Sequence, residues 1–330
     1  MQLGIKLTGP ATMRREDLVA MIQRAEALGY HSFWVGERWG WDPFVSLAEI
    51  AVKTTRIGLG ISVTNVFSRT PGATAQAAAS VDIISRGRLI LGLGSSGLLI
   101  VEKFHGVKFE RPVQRTREYI EVLQLMFSGH RVDYQGQIVR VSRFGLELPM
   151  YRDRIPIYLA ALGPRNLRLC GELADGWVPT YVNPATIGKQ IALVHEGARA
   201  AGRDPKAVTL SPEVYVCVTK DKPAARDLMR RGLARSLSGS GAFYASQAKR
   251  AGFEHEVDEL LKLWRGGKRD EAPRVVTDEM IDAFSIIGDA EECKARLQQL
   301  HASGWDMPIV RFMRGSPQPW ITETMEALAT

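Results

Sequence analysis

Short apolar runs alternate with amphipathic segments along almost the whole chain. The runs at residues 3–8, 31–37, 56–65, 89–95, 156–162, 176–182, 208–219 and 307–313 read as strands. The segments at 15–28, 43–53, 74–84, 112–127, 164–174, 185–201 and 224–237 read as the helices between them. Eight strands separated by helices predict an α/β fold, a (β/α)8 TIM barrel more than an open doubly wound sheet. "GLGSSG" at 92–97 has glycines on a strand and after it, and is not read as a dinucleotide fingerprint.

Two stretches exceed a minimal barrel. Residues 131–148 alternate around a glycine, as a short hairpin insertion would. Residues 238–279 are helical but irregular, carry Phe243, Tyr244, Phe253 and Trp264, and delay the eighth strand. Long insertions in a barrel are lids or subunit contacts more often than disorder. With no internal repeat, low-complexity tract or linker, a single domain over 1–330 is expected.

Composition narrows the class. No run of about 18 apolar residues exists, so no membrane span is expected. The start, "MQLGIKLTGP", lacks a secretion pattern, and Cys170, Cys217 and Cys293 stand isolated with no C-x-x-C pair. Both point to a cytoplasmic protein without a disulfide framework. The six histidines show no metal-ligand spacing, so no metal is expected. The net charge of +7 is spread along the chain and interleaved with acids. That argues against nucleic acid, which favours a concentrated basic face, and suits steering of an anionic small molecule.

Barrel chemistry gathers at the carboxyl ends of strands. There the apolar run of strand 3 ends in Thr64, Asn65, Ser68, Arg69 and Thr70, more hydrogen-bonding side chains than a plain turn needs. Strand 2 is followed by "GERWGWDPF", in which Glu37 and Arg38 form either a proton-transfer pair or a salt-bridged rim. Trp39 and Trp41 either stack on a planar ligand or, by preference, pack beneath the rim. "LGPRNL" after strand 5 is the best anion site: Gly163 allows close approach, Pro164 takes the first helical turn, and the amides of Arg165 and Asn166 point outward at the positive end of the helix. An ordinary βα turn is the alternative. Thr180 and Tyr181 follow strand 6, and Arg311 and Arg314 follow strand 8.

Together these residues resemble the luciferase-like monooxygenase superfamily, and within it the coenzyme F420-dependent oxidoreductases. "RIGLGISVTNVFSRTPGATAQAAASVDIISRGRLILGLGSSG" looks like the family's third strand, third helix and fourth strand, and "IPIYLAALGPRNLRLCGELADGWVPT" like its phosphate segment. "VEKFHGVKFERPVQRTREYIEVL" is similar to the methylene-tetrahydromethanopterin reductase-like subgroup. The resemblance implies a bacterial luciferase-like barrel carrying a deazaflavin at its carboxyl mouth. It implies a cis peptide at Ser62–Val63 behind the ring, with Thr64 and Asn65 at the ring's polar edge. It implies phosphate on the amides of Leu162, Gly163, Arg165 and Asn166, with Thr180 nearby, and Glu37 close to the ring. Arg38 is then a substrate or tail contact.

The departures bear on substrate. The family's sugar-phosphate dehydrogenases place a His after that acid and a Glu after strand 4, where Arg38 and Gly97 stand here. The methanogenic reductase has a Glu where Lys6 stands. The expectation is therefore hydride transfer between F420 and a small organic substrate, in a homodimer as is usual for the family. The alternatives are an FMN-dependent monooxygenase on the same fold and an F420-binding protein without turnover.

Overall fold

The computed structural model describes residues 1–7, 13–37, 40–239 and 242–329. Its strands are β1 (Gly4–Lys6), β2 (Ser32–Val35), β3 (Gly58–Ile61), β4 (Thr64–Asn65), β5 (Leu89–Gly94), β6 (Val132–Gln135), β7 (Arg140–Phe144), β8 (Ile157–Leu159), β9 (Gly176–Trp177), β10 (Thr209–Leu210), β11 (Glu213–Val218), β12 (Ser285–Gly288) and β13 (Ile309–Arg311). All pairs but β6–β7 are parallel. The sheet runs β1-β2-β3-β5-β8-β9-β10, and β11 continues β10 to pair with β13, which pairs with β1. The Thr180–Glu213 bridge and the Glu213 N–H to Pro179 carbonyl bond of 2.8 Å join the two halves. The sheet thus closes on itself as the expected barrel, its helices outside.

The helix ends reflect local chemistry. Pro43–Lys53 and Pro112–Phe127 begin and end where the periodicity predicts. The third helix begins at Pro71 and not at residue 74, because the Thr70 hydroxyl accepts from the Ala73 amide at 3.2 Å and proline is pre-set for a first turn. The expected hairpin is β6–β7, whose turn amides at Gln137, Ile138 and Val139 donate to the Glu118 carboxylate at 2.9, 2.8 and 2.7 Å.

The insertion at 238–279 folds into helices Ala242–Arg250 and Glu254–Arg265, which pack with Lys222–Gly239 around Leu233, Leu237, Leu260 and Met280. It leads into β12, which pairs with the outer half of β11 from Tyr215–Ser285 to Val218–Gly288. The periodicity misses this strand: four residues, "SIIG", directly abut the helix Asp278–Phe284 with no turn signal between them. "GLGSSG" does have the G-x-G-x-x-G spacing. Its first two glycines, however, lie inside β5, and the next element is a π-helical turn at Ile100–Phe104, so no long helix begins there to receive a pyrophosphate.

Inside the barrel the lower layer is apolar. Trp34, Tyr158, Val178, Met307 and Ile309 pack together, with the Trp34 and Tyr158 rings 5.7 Å apart. Trp34 lies flat against strand β3, and a Cβ on Gly60 would stand 2.3 Å from its ring. Gly60→Ala is therefore expected to cost about 1–3 kcal/mol through overpacking. The check is a lower denaturant midpoint at unchanged slope, with Trp34→Leu in the same chain recovering part of the loss.

Candidate active site

Strand 3 leaves the sheet between Ile61 and Thr64. The Ser62–Val63 peptide is cis, as the family resemblance implies. The neighbouring strand makes room: a Cβ on Gly92 would stand 1.8 Å from the Ile61 carbonyl oxygen, and one on Gly94 would stand 2.6 Å from Val63 Cγ2. The chain rejoins the sheet at β4, with Thr64 opposite Leu93 and Asn65 opposite Gly94.

The hydrogen-bonding cluster after it divides into two sets. One is used internally. Glu37 Oε2 accepts from the Asn65 amide at 2.7 Å, Glu37 Oε1 accepts from Ser68 Oγ at 3.1 Å, and Arg69 Nε lies 3.6 Å from the same oxygen. Arg69 also pairs with Asp42, the cap of helix Pro43–Lys53. Glu37 is thus a partner of Arg69 and the strand-3 loop; Arg38, like Trp39, lies outside the described residues. Trp41 is 68% exposed with the Arg15 guanidinium 5.6 Å from its ring, so it does not pack beneath the rim. The second set is unspent: among the described residues, Thr64 Oγ1 and Asn65 Nδ2 are buried without a hydrogen-bond partner.

Across the barrel lies a polar layer. Lys6 Nζ donates to the Ser62 carbonyl at 2.7 Å, to Ser62 Oγ at 2.8 Å and to Glu213 Oε1 at 2.5 Å. Ser62 Oγ donates to Glu213 Oε1 at 2.6 Å, and Arg311 Nη1 donates to Glu213 Oε2 at 2.6 Å and to Thr180 Oγ1 at 2.9 Å. The Arg311 guanidinium also stacks 4.3 Å over the Tyr215 ring. Burial alone would raise the Glu213 carboxyl, but Lys6 and Arg311 overcome it and hold the group down at about 2. Sequence reasoning singles out Arg311 at the rim and Lys6 only as a departure from relatives, and misses Glu213. The available signal was a charge at an inward position of an apolar strand, in "GIKL", "PEVYV" and "IVRF".

After β8, Leu162 and Gly163 lead into helix Pro164–Leu173. Gly163 is extended at φ −88°, and a Cβ there would meet nothing within 4 Å. Arg165 is exposed, and Asn166 Oδ1 is buried without a partner among the described residues. Thr180 is drawn to the polar layer by Arg311.

The sequence pattern of the luciferase-like monooxygenases matches residues 2–307. The chain belongs to that family. A Mycobacterium tuberculosis relative, provisionally named a coenzyme F420-dependent oxidoreductase, is 33% identical over 94% of each chain. The 5,10-methylenetetrahydromethanopterin reductase of Methanolobus tindarius is 30% identical over 89% of this chain and 88% of its own. Among solved structures, the coenzyme F420-dependent tetrahydromethanopterin reductase of Methanopyrus kandleri superposes with a TM-score of 0.86 at 25% identity, covering 100% of this chain and 98% of that one. Among the described residues, no helix of this luciferase-like barrel is long and apolar enough to cross a membrane.

The polar layer carries an acid signature. Glu213's folded value of about 2 lies below its ordinary 4.5, so its stabilisation is present above that ordinary value and is lost as pH falls toward the folded one. Acid unfolding followed by tryptophan fluorescence should steepen in that window. In Glu213→Gln, less stable overall, that contribution to the slope should vanish.

Proposed function

We propose that this luciferase-like protein is a coenzyme F420-dependent oxidoreductase acting on a small organic substrate. The observation that carries the reading is the end of strand 3. A backbone segment, Ser62–Val63, is given room by two glycines, and beside it two buried polar atoms, Thr64 Oγ1 and Asn65 Nδ2, have no protein partner among the described residues. That combination fits a flat ring with a polar edge. The F420 named in two of the relatives supports the choice of ring, and the +7 charge suits a tail of several carboxylates.

When bound, F420 supplies a two-electron hydride carrier. This chain's residues do the rest. Ser62 and Val63 back one face of the ring, and Thr64 and Asn65 meet its edge. The amides of Leu162, Gly163, Arg165 and Asn166 receive the phosphate at the positive end of helix Pro164–Leu173, with Thr180 bordering them. Glu37 holds Asn65 in place and is the acid that polarises or exchanges a proton with the substrate; Arg38 contacts substrate or tail.

A cytoplasmic homodimer belongs to the same reading. Cys170, Cys217 and Cys293 are unpaired, which suits a reducing compartment. Val45, Val52 and Ile84 are exposed on the adjacent helices Pro43–Lys53 and Pro71–Ile84, which suits cover by a second copy.

Side-by-side titration with F420 and FMN tests the assignment. F420 is expected to bind more tightly, with a preference that weakens as salt screens the exposed charges; equal or tighter FMN binding overturns it. In the same assay Gly163→Val should abolish F420 binding at unchanged melting temperature, because the side chain enters open space that the phosphate would need. Glu37→Gln can keep an oxygen toward the Asn65 amide. Its turnover is expected to fall about 10²–10⁴-fold with F420 affinity retained. Lost affinity would leave Glu37 as a loop anchor alone.

A further inference from the structure

The Lys6–Glu213–Arg311 layer has no part in the proposed hydride chemistry, which uses Ser62 only as a surface. Yet its contacts converge on that residue. Strand β1 reaches Ser62 through Lys6, which donates to its carbonyl and to its hydroxyl. Strand β11 reaches it through Glu213, which accepts from the same hydroxyl. Arg311 on β13 holds the other carboxylate oxygen and is steadied by Thr180 and the Tyr215 ring. One residue of strand 3 is thus bonded across the barrel to β1 and β11, and through Glu213 to β13.

Stability alone is a poor reason for such a layer. Removing two cations and an anion from water costs about as much as their attraction returns, and apolar side chains of similar volume do as well or better. The layer below is built in just that way, from Trp34, Tyr158 and Ile309. A polar device also fixes direction: a lysine that donates to three oxygens permits one placement of the Ser62 carbonyl, where an apolar contact permits several.

We propose that Lys6 is a positioning residue for the cofactor ring, holding the Ser62–Val63 segment through both the carbonyl and the hydroxyl of Ser62 with Glu213 as its anchor. The inference rests on the reading that the ring lies on that segment. Lys6 is also the position at which this chain carries a base in place of the acid expected from the methanogenic reductase.

The test is Lys6→Met in the full chain. This substitution removes the bonds to Ser62 but leaves Glu213 paired with Arg311, so no charge is stranded. Two probes are titrated: F420, and the deazaflavin ring with its ribityl chain but no phosphate. Lys6→Met should weaken both by the same factor, about tenfold, the scale of losing a single hydrogen bond to a charged donor. Gly163→Val is the control, weakening F420 and leaving the phosphate-free probe unchanged. A merely structural role would lower the melting temperature of Lys6→Met while leaving its affinity for both probes parent-like at temperatures where it is folded. Parent-like binding of the phosphate-free probe by Lys6→Met overturns the inference, as does a loss confined to F420. Should Lys6→Met fail to fold, Ser62→Ala removes the hydroxyl from both partners and should weaken ring binding a few-fold; parent-like affinity there overturns it equally. If the parent binds neither probe, the functional reading falls first and takes the inference with it.

Discussion

Between Ile61 and Thr64 the third strand steps out of a parallel barrel, and the step is possible only because the adjoining strand presents no side chains there. Gly92 faces the Ile61 carbonyl and Gly94 faces Val63, each closer than any Cβ would allow. A parallel barrel is otherwise filled by interlocking side chains, as the Trp34–Gly60 contact beneath illustrates. Two missing side chains on one strand therefore move the backbone of the next. The mouth of the barrel takes its shape from that displacement.

Around the step, charge substitutes for the packing that the glycines remove. On one side Glu37 gathers the Asn65 amide, the Ser68 hydroxyl and Arg69. On the other, Lys6 and Glu213 hold Ser62 from inside the barrel. Neither carboxylate is left to water. Glu213 stays ionised because two cations outweigh its burial, and Arg311 keeps it from turning toward Lys6 alone. The consequence is a stiff backbone segment with its polar partners already chosen, and two buried atoms, on Thr64 and Asn65, still uncommitted.

The hydrogen-bonding side chains that end this buried strand thus have separate explanations. Thr70 caps the next helix, while Ser68 and Arg69 belong to Glu37. Thr64 Oγ1 and Asn65 Nδ2 carry the excess that a ligand would satisfy. The turn into helix Pro164–Leu173 is simpler. Its glycine is extended and unobstructed, and its proline opens a helix, so local chemistry accounts for it without help from distant strands.

Periodicity and capping were enough to lay out the eight barrel strands, the hairpin and most helix ends, because an apolar run or a Pro at a first turn acts through neighbours a few residues away. The family resemblance, carried by contiguous segments, pointed to the cis peptide at Ser62–Val63. What escaped was β12, too short and too close to its helix to register, and the Lys6–Glu213–Arg311 layer. Those three residues stand on strands far apart in the chain, and each looks like a lone charge in an apolar run. Only closure of the barrel brings a lysine from β1, a glutamate from β11 and an arginine from β13 around one serine. Their meaning is a matter of distance in space, which the order of residues along the chain does not record.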